Sequence, residues 1–68
     1  MKVSAWTTRI DESQYRYRLQ FDNIEGKRKR NHIMKEMVEV YKCEESGAGY
    51  TKKGDYILLF SKDFDSPK

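Results

Sequence analysis

Residues 25–32 read EGKRKRNH, and the four consecutive cations Lys27, Arg28, Lys29 and Arg30 are the group with the most evident chemistry. Guanidinium and ammonium groups at this density bind anions, phosphate above all, through charge-assisted and often bidentate hydrogen bonds. The run stands just before the chain's one long helical pattern. There the unpaired N–H groups and the positive dipole end of a helix would favour the same ligand. Without an anion, each cation at a helix start costs about 0.3 to 1 kcal/mol at low salt. The alternative is a solvated loop whose charges are screened by salt.

Arg9, Arg16 and Arg18 form a second cationic set. If the first two strands pair as a hairpin with an even-numbered connection, Ile10 faces Tyr15, Thr8 faces Tyr17 and Trp6 faces Leu19. That register collects the large apolar groups on one side and leaves Ala5, Thr7, Arg9, Arg16, Arg18 and Gln20 on the other. It also sets Arg9 against Arg16, a like-charge pair that destabilises a sheet unless an acid or an external anion relieves it. The two cationic sets together would make a band suited to a nucleic-acid backbone, with Tyr50 or Tyr56 available to stack on an unpaired base. An ordinary solvated sheet face, with Arg blocking edge pairing, is the competing interpretation.

Other chemistry is poorly served. His32 and Cys43, the only histidine and cysteine, are eleven positions apart, about 16 Å along a helix axis, so no metal set or Cys–His nucleophile is expected. The GAG at 47–49 lacks the spacing and following Lys of a phosphate-binding loop. Carboxylates are scattered without a distinguished pair. No catalytic residue, metal or cofactor is therefore expected, and the chain reads as a non-enzyme.

The elements that must position these residues follow from periodicity. KVSAWTTRI and YRYRLQF alternate in character and flank the polar Asp11, Glu12, Ser13 and Gln14, a β-hairpin pattern. From Lys27 to about Glu45 the period becomes helical, with Ile33, Met34, Met37, Val38, Val40 and Tyr41 on one stripe. The same wheel puts Arg30 inside that stripe, and Gly47 is the expected left-handed stop. Glu44 and Glu45 would then stand at the helix end, against its dipole. The Met34, Met37 and Tyr41 stripe is expected to pack on Trp6, Tyr17, Leu19 and Leu58. Tyr56–Phe60 reads as a central strand, KKGD as a turn, and 49–51 as a short partner strand. The fold expected is α+β, a small two-layer sandwich in the order β-β-α-β(β), with an antiparallel-rich sheet and one helix on one face. Residues 1–64 form a single domain in this scheme, and 65–68 a loose end.

Whole-chain totals bound the function. Sixty-eight residues are near the lower limit for an independent core. The net charge is only +3, but residues 1–35 carry nine Lys or Arg and four acids, whereas 36–68 carry five and seven. One cysteine, no membrane-length apolar run and no signal-peptide pattern point to a cytoplasmic protein. The expected function is a small nucleic-acid-binding accessory or regulatory protein that contacts DNA or RNA phosphates. The alternative is a protein-interaction module, a regulator or inhibitor docking on an acidic surface of a larger protein and able to form a homodimer.

Overall fold

The computed structural model describes residues 1–65. Strands β1 (Lys2–Arg9) and β2 (Gln14–Ile24) form the first hairpin. They are followed by helix α1 (Lys27–Lys35), which runs on into a wider π-helical turn at Glu36–Val40. Strands β3 (Glu44–Tyr50) and β4 (Tyr56–Asp65) close the chain. The sheet is wholly antiparallel in the order β1-β2-β4-β3, with the helix on one face, the expected α+β sandwich.

The hairpin register differs from the expected one by one residue. Arg9 pairs with Tyr15, Thr8 with Arg16, Thr7 with Tyr17 and Trp6 with Arg18. A one-residue slip moves a whole strand's side chains to the opposite face. Val3, Ala5, Thr7 and Arg9 therefore lie on the helix side with Tyr17, Leu19 and Phe21. Trp6 and Thr8 join Arg16 and Arg18 on the open side. The connection sets this register: the Ile10 and Asp11 N–H groups both donate to the Gln14 carbonyl, and the Asp11 carboxylate accepts from the Ser13 N–H and hydroxyl. Turn hydrogen bonding has overridden the preference for collecting every large apolar residue on one face.

The helix ends at Val40 rather than near Glu45. Lys42, with φ of 60°, supplies the left-handed stop expected of Gly47, and the Cys43 N–H donates to the Met37 carbonyl at 2.9 Å. Glu44 to Tyr50 is instead a full edge strand, longer than the short partner at 49–51. β4 is central, as its apolar run implies, and continues to Asp65, opposite Gln14. Residues 66–68 of the expected loose end lie outside the described residues.

Two irregularities aim the core. β2 carries one extra residue between Phe21 and Ile24 relative to β4, and Asn23 takes φ of 56° there, a conformation Asn tolerates. The bulge turns Ile24 inward, where it is 0% exposed. With Leu58, Phe60, Met37 and Cys43 it makes the buried cluster, flanked by Leu19, Phe21, Ile33, Met34 and Tyr56. Each fully buried apolar side chain contributes about 1.5–3 kcal/mol. Trp6 and Tyr41, expected in this core, are exposed: Trp6 is on the other face of the sheet, and Tyr41 lies past the helical end.

Candidate nucleic-acid interface

The basic run forms the first turn of α1, which lacks a side-chain cap and carries no acidic residue. Gly26, with φ of 86°, turns the chain out of β2, and the first helical bond is donated by the Arg30 N–H to the Gly26 carbonyl at 3.2 Å. The preceding N–H groups are thus left to water or a ligand. Lys27, Arg28 and Lys29 are exposed. Arg30 is half-buried on the packed side, its guanidinium 4.8 Å from the centre of the Tyr56 ring. Its place on the apolar stripe is thus occupied by a cation–π contact.

The sheet brings further groups to the same end. Ile24, two residues before the helical turn, pairs with Tyr56, and Tyr56 pairs with Tyr50. The β3–β4 turn follows, closed by the Thr51 N–H to the Asp55 carbonyl at 2.7 Å and the Gly54 N–H to the Thr51 carbonyl at 2.9 Å, with Gly54 at φ 89°. It carries Lys52 and Lys53, both exposed, beside a depression that also includes Asn23, Glu25 and Met1. Tyr50 is 76% exposed. Beside it a shallow recess of about 310 Å³ is floored by Ala48 and Gly49 and bounded by Arg30 and Tyr56. This end carries Lys2, the four helix-start cations, Lys52 and Lys53 against Asp22, Glu25 and Asp55.

Sequence reasoning passed over Lys52 and Lys53, treating them only as turn residues. The adjacent pair in KKGD was a visible signal. Its nearness to residues 27–30 required knowing that β4 lies beside β2.

The arginines of the sheet stand elsewhere. Arg18 is six residues along β2 from Ile24, about 20 Å at 3.3 Å per residue. Its side chain is on the face opposite the helix and donates to Thr8 Oγ1 at 3.1 Å. Arg16 forms a two-point pair with Asp63 at 2.7 and 3.1 Å. Arg9 is not opposite Arg16: it lies on the helix side and its Nε donates to the Asp11 carbonyl at 3.1 Å. The like-charge conflict never arises, and the two cationic sets do not join into one band. The Arg16 hydrogen bond, ahead of its charge, holds the Asp63 carboxyl below the usual carboxylate range. The Ser13 N–H does the same for Asp11.

Among the described residues there is no cluster of three potential metal ligands and no helix long and apolar enough to cross a membrane. Cys43 is a buried free thiol. His32 is exposed and 3.2 Å from Glu36 one turn on. No protein family, characterised protein or solved structure matches the chain.

Proposed function

We propose that this protein is a small, non-enzymatic, cytoplasmic nucleic-acid-binding factor that grips phosphates with one cationic end. The observation that carries the reading is the uncapped, acid-free first turn of α1, with Lys27, Arg28 and Lys29 exposed on it. Lys52 and Lys53 extend the charge across the sheet end. Tyr50, beside a recess floored by small residues, gives a stacking platform for an unpaired base, which favours single strands over duplex. Phosphates supply the sequence-independent part of the affinity and stacking supplies the strand preference.

Fluorescence anisotropy with labelled single-stranded and duplex oligonucleotides tests this at low and moderate salt. Binding of the parent should fall steeply as salt rises. K27Q/R28Q/K29Q should abolish it, and Tyr50→Ala should weaken single-strand binding by about tenfold or more, the equivalent of one stacked base at 1–3 kcal/mol. Absence of binding at low salt overturns the proposal. The cationic end then belongs to the second reading, docking on an acidic protein surface, which the same exposed cations favour.

A further inference from the structure

The two edges of the sheet, β1 and β3, are finished differently. β3 opens on Glu44 and Glu45, shifts register between Glu45 and Gly47, and carries a second glycine at 49. Charge, bulge and glycine are the devices by which an edge discourages a further strand. β1 has none of them in its interior. Its eight residues keep an unbroken register against β2, contain no Gly or Pro, and carry cations only at the two ends, Lys2 and Arg9. The turn fixes which of its backbone groups face outward. The Ile10 N–H donates to the Gln14 carbonyl, so Ile10 directs its backbone toward β2, and by alternation Thr8, Trp6, Ser4 and Lys2 do the same. The N–H and C=O groups of Val3, Ala5, Thr7 and Arg9 therefore point away from β2, where the sheet has no further strand.

Such a row takes an extended strand whose own outward groups fall in step with it. A second β1, antiparallel about a twofold axis at Trp6, meets that condition without leaving the strand. Ala5 pairs with Thr7 of the other copy and Val3 with Arg9 of the other copy, so every outward N–H and C=O of both strands is bonded. Charge permits this register, because Arg9 falls opposite Val3 and Lys2 lies beyond the paired stretch. The one register that would set Lys2 against Arg9 is barred, since those two residues direct their backbones to opposite sides of the strand. Trp6, the single tryptophan, is 40% exposed on the open face and meets its own copy at the axis in the closer, non-hydrogen-bonded kind of pair. We infer that β1 is the seam of a symmetric dimer in which the two sheets join edge to edge as one antiparallel sheet with both helices on the same side. The seam contains none of the helix-start cations or turn lysines, so the inference stands apart from the nucleic-acid reading.

Sedimentation velocity from micromolar to millimolar concentration, with circular dichroism as the folding control, tests it. The parent should rise from the 8.2 kDa mass of one chain to twice that value. Thr7→Pro removes an outward N–H and no bond to β2, and should weaken the dimer at least tenfold. Trp6→Lys keeps every backbone group but sets two cations face to face at the axis, and should weaken it by a similar factor with an unchanged spectrum. Amide exchange followed by NMR locates the seam. In dilute protein protection along β1 should alternate, at Ser4, Trp6 and Thr8, and in the dimer it should run without a gap through residues 3–9. Should Thr7→Pro fail to fold, Trp6→Lys and the exchange pattern decide. A parent that stays at single-chain mass overturns the inference, as does a dimer whose Val3, Ala5, Thr7 and Arg9 amides exchange as they do in dilute protein, or one that Trp6→Lys leaves intact.

Discussion

Asp63 and Arg16 illustrate what a side chain contributes when its partner lies across the sheet. The pair is held by two short hydrogen bonds yet is about two-fifths exposed, so solvent and salt weaken it. Its signature is pH dependence. Asp63 and Asp11 titrate below the usual range in the folded chain, so their stabilisation is complete above the unfolded-state value and is lost as pH falls through the folded ones. Thermal unfolding followed from neutral to acid pH should show a stable plateau that declines below about pH 4, near the ordinary Asp value. Asp63→Asn should flatten part of that decline. An unchanged acid profile in the variant would assign the dependence to other carboxylates. The motif EGKRKRNH was fully legible as a cationic run at a helix start. That Arg30 instead faces Tyr56 was half legible: the helical wheel put it on the packed stripe, but only the β2–β4 pairing supplied the ring.

Elements show where local chemistry and global packing disagree. The helix was readable from its period, whereas its end was not, because Gly47 is the stronger local stop signal. The chain uses Lys42 in a left-handed conformation that costs a side-chain-bearing residue about 1–2 kcal/mol. Ending there starts β3 five residues before Gly49 and lets Glu44 pair with Ser61. Lys42→Gly should therefore raise stability by up to about 1 kcal/mol, since glycine removes the strain and returns some of it as unfolded-state entropy. Urea denaturation measures this, and a loss of stability would mean that the Lys42 side chain makes contacts worth more than the strain. The hairpin was equally readable as an element, and its register was not. Burial argued for Trp6 opposite Leu19, while two N–H groups sharing the Gln14 carbonyl and the Asp11 turn favoured Trp6 opposite Arg18.

The whole molecule extends 44 × 23 × 15 Å, and its charge is segregated along its length. One end gathers the helix-start cations with Lys52 and Lys53. The other places Asp11, Glu12, Asp63 and Asp65 near Arg9 and Arg16. A polyanion would approach the first end and be repelled by the second. Log affinity for single-stranded nucleic acid should accordingly fall linearly with log salt, with a slope near −0.7 per phosphate contacted. Lys52→Gln/Lys53→Gln should reduce that slope by about 1 or more. Arg9→Gln/Arg16→Gln/Arg18→Gln should leave it unchanged, since all three lie far along the sheet from the helix start and Arg16 and Arg18 are also on the open face. A slope that responds to the sheet arginines and ignores the turn lysines would move the interface to the open face.

Composition and periodicity alone determined that this chain is an α+β sandwich with one helix, an apolar central last strand and a cationic helix start. These properties follow from short-range spacing: period 2, period 3.6 and adjacent charge. Tertiary structure decided what sits beside what. A single hydrogen-bonded turn chose the hairpin register and sent Trp6 to the open face and Arg9 to the helix side. A bulge at Asn23 turned Ile24 into the core, and the β1-β2-β4-β3 order carried Lys52, Lys53 and Tyr50 to the helix start while leaving the sheet arginines behind. Each outcome depends on which strands become neighbours, a matter of long-range pairing in which local spacing has no part.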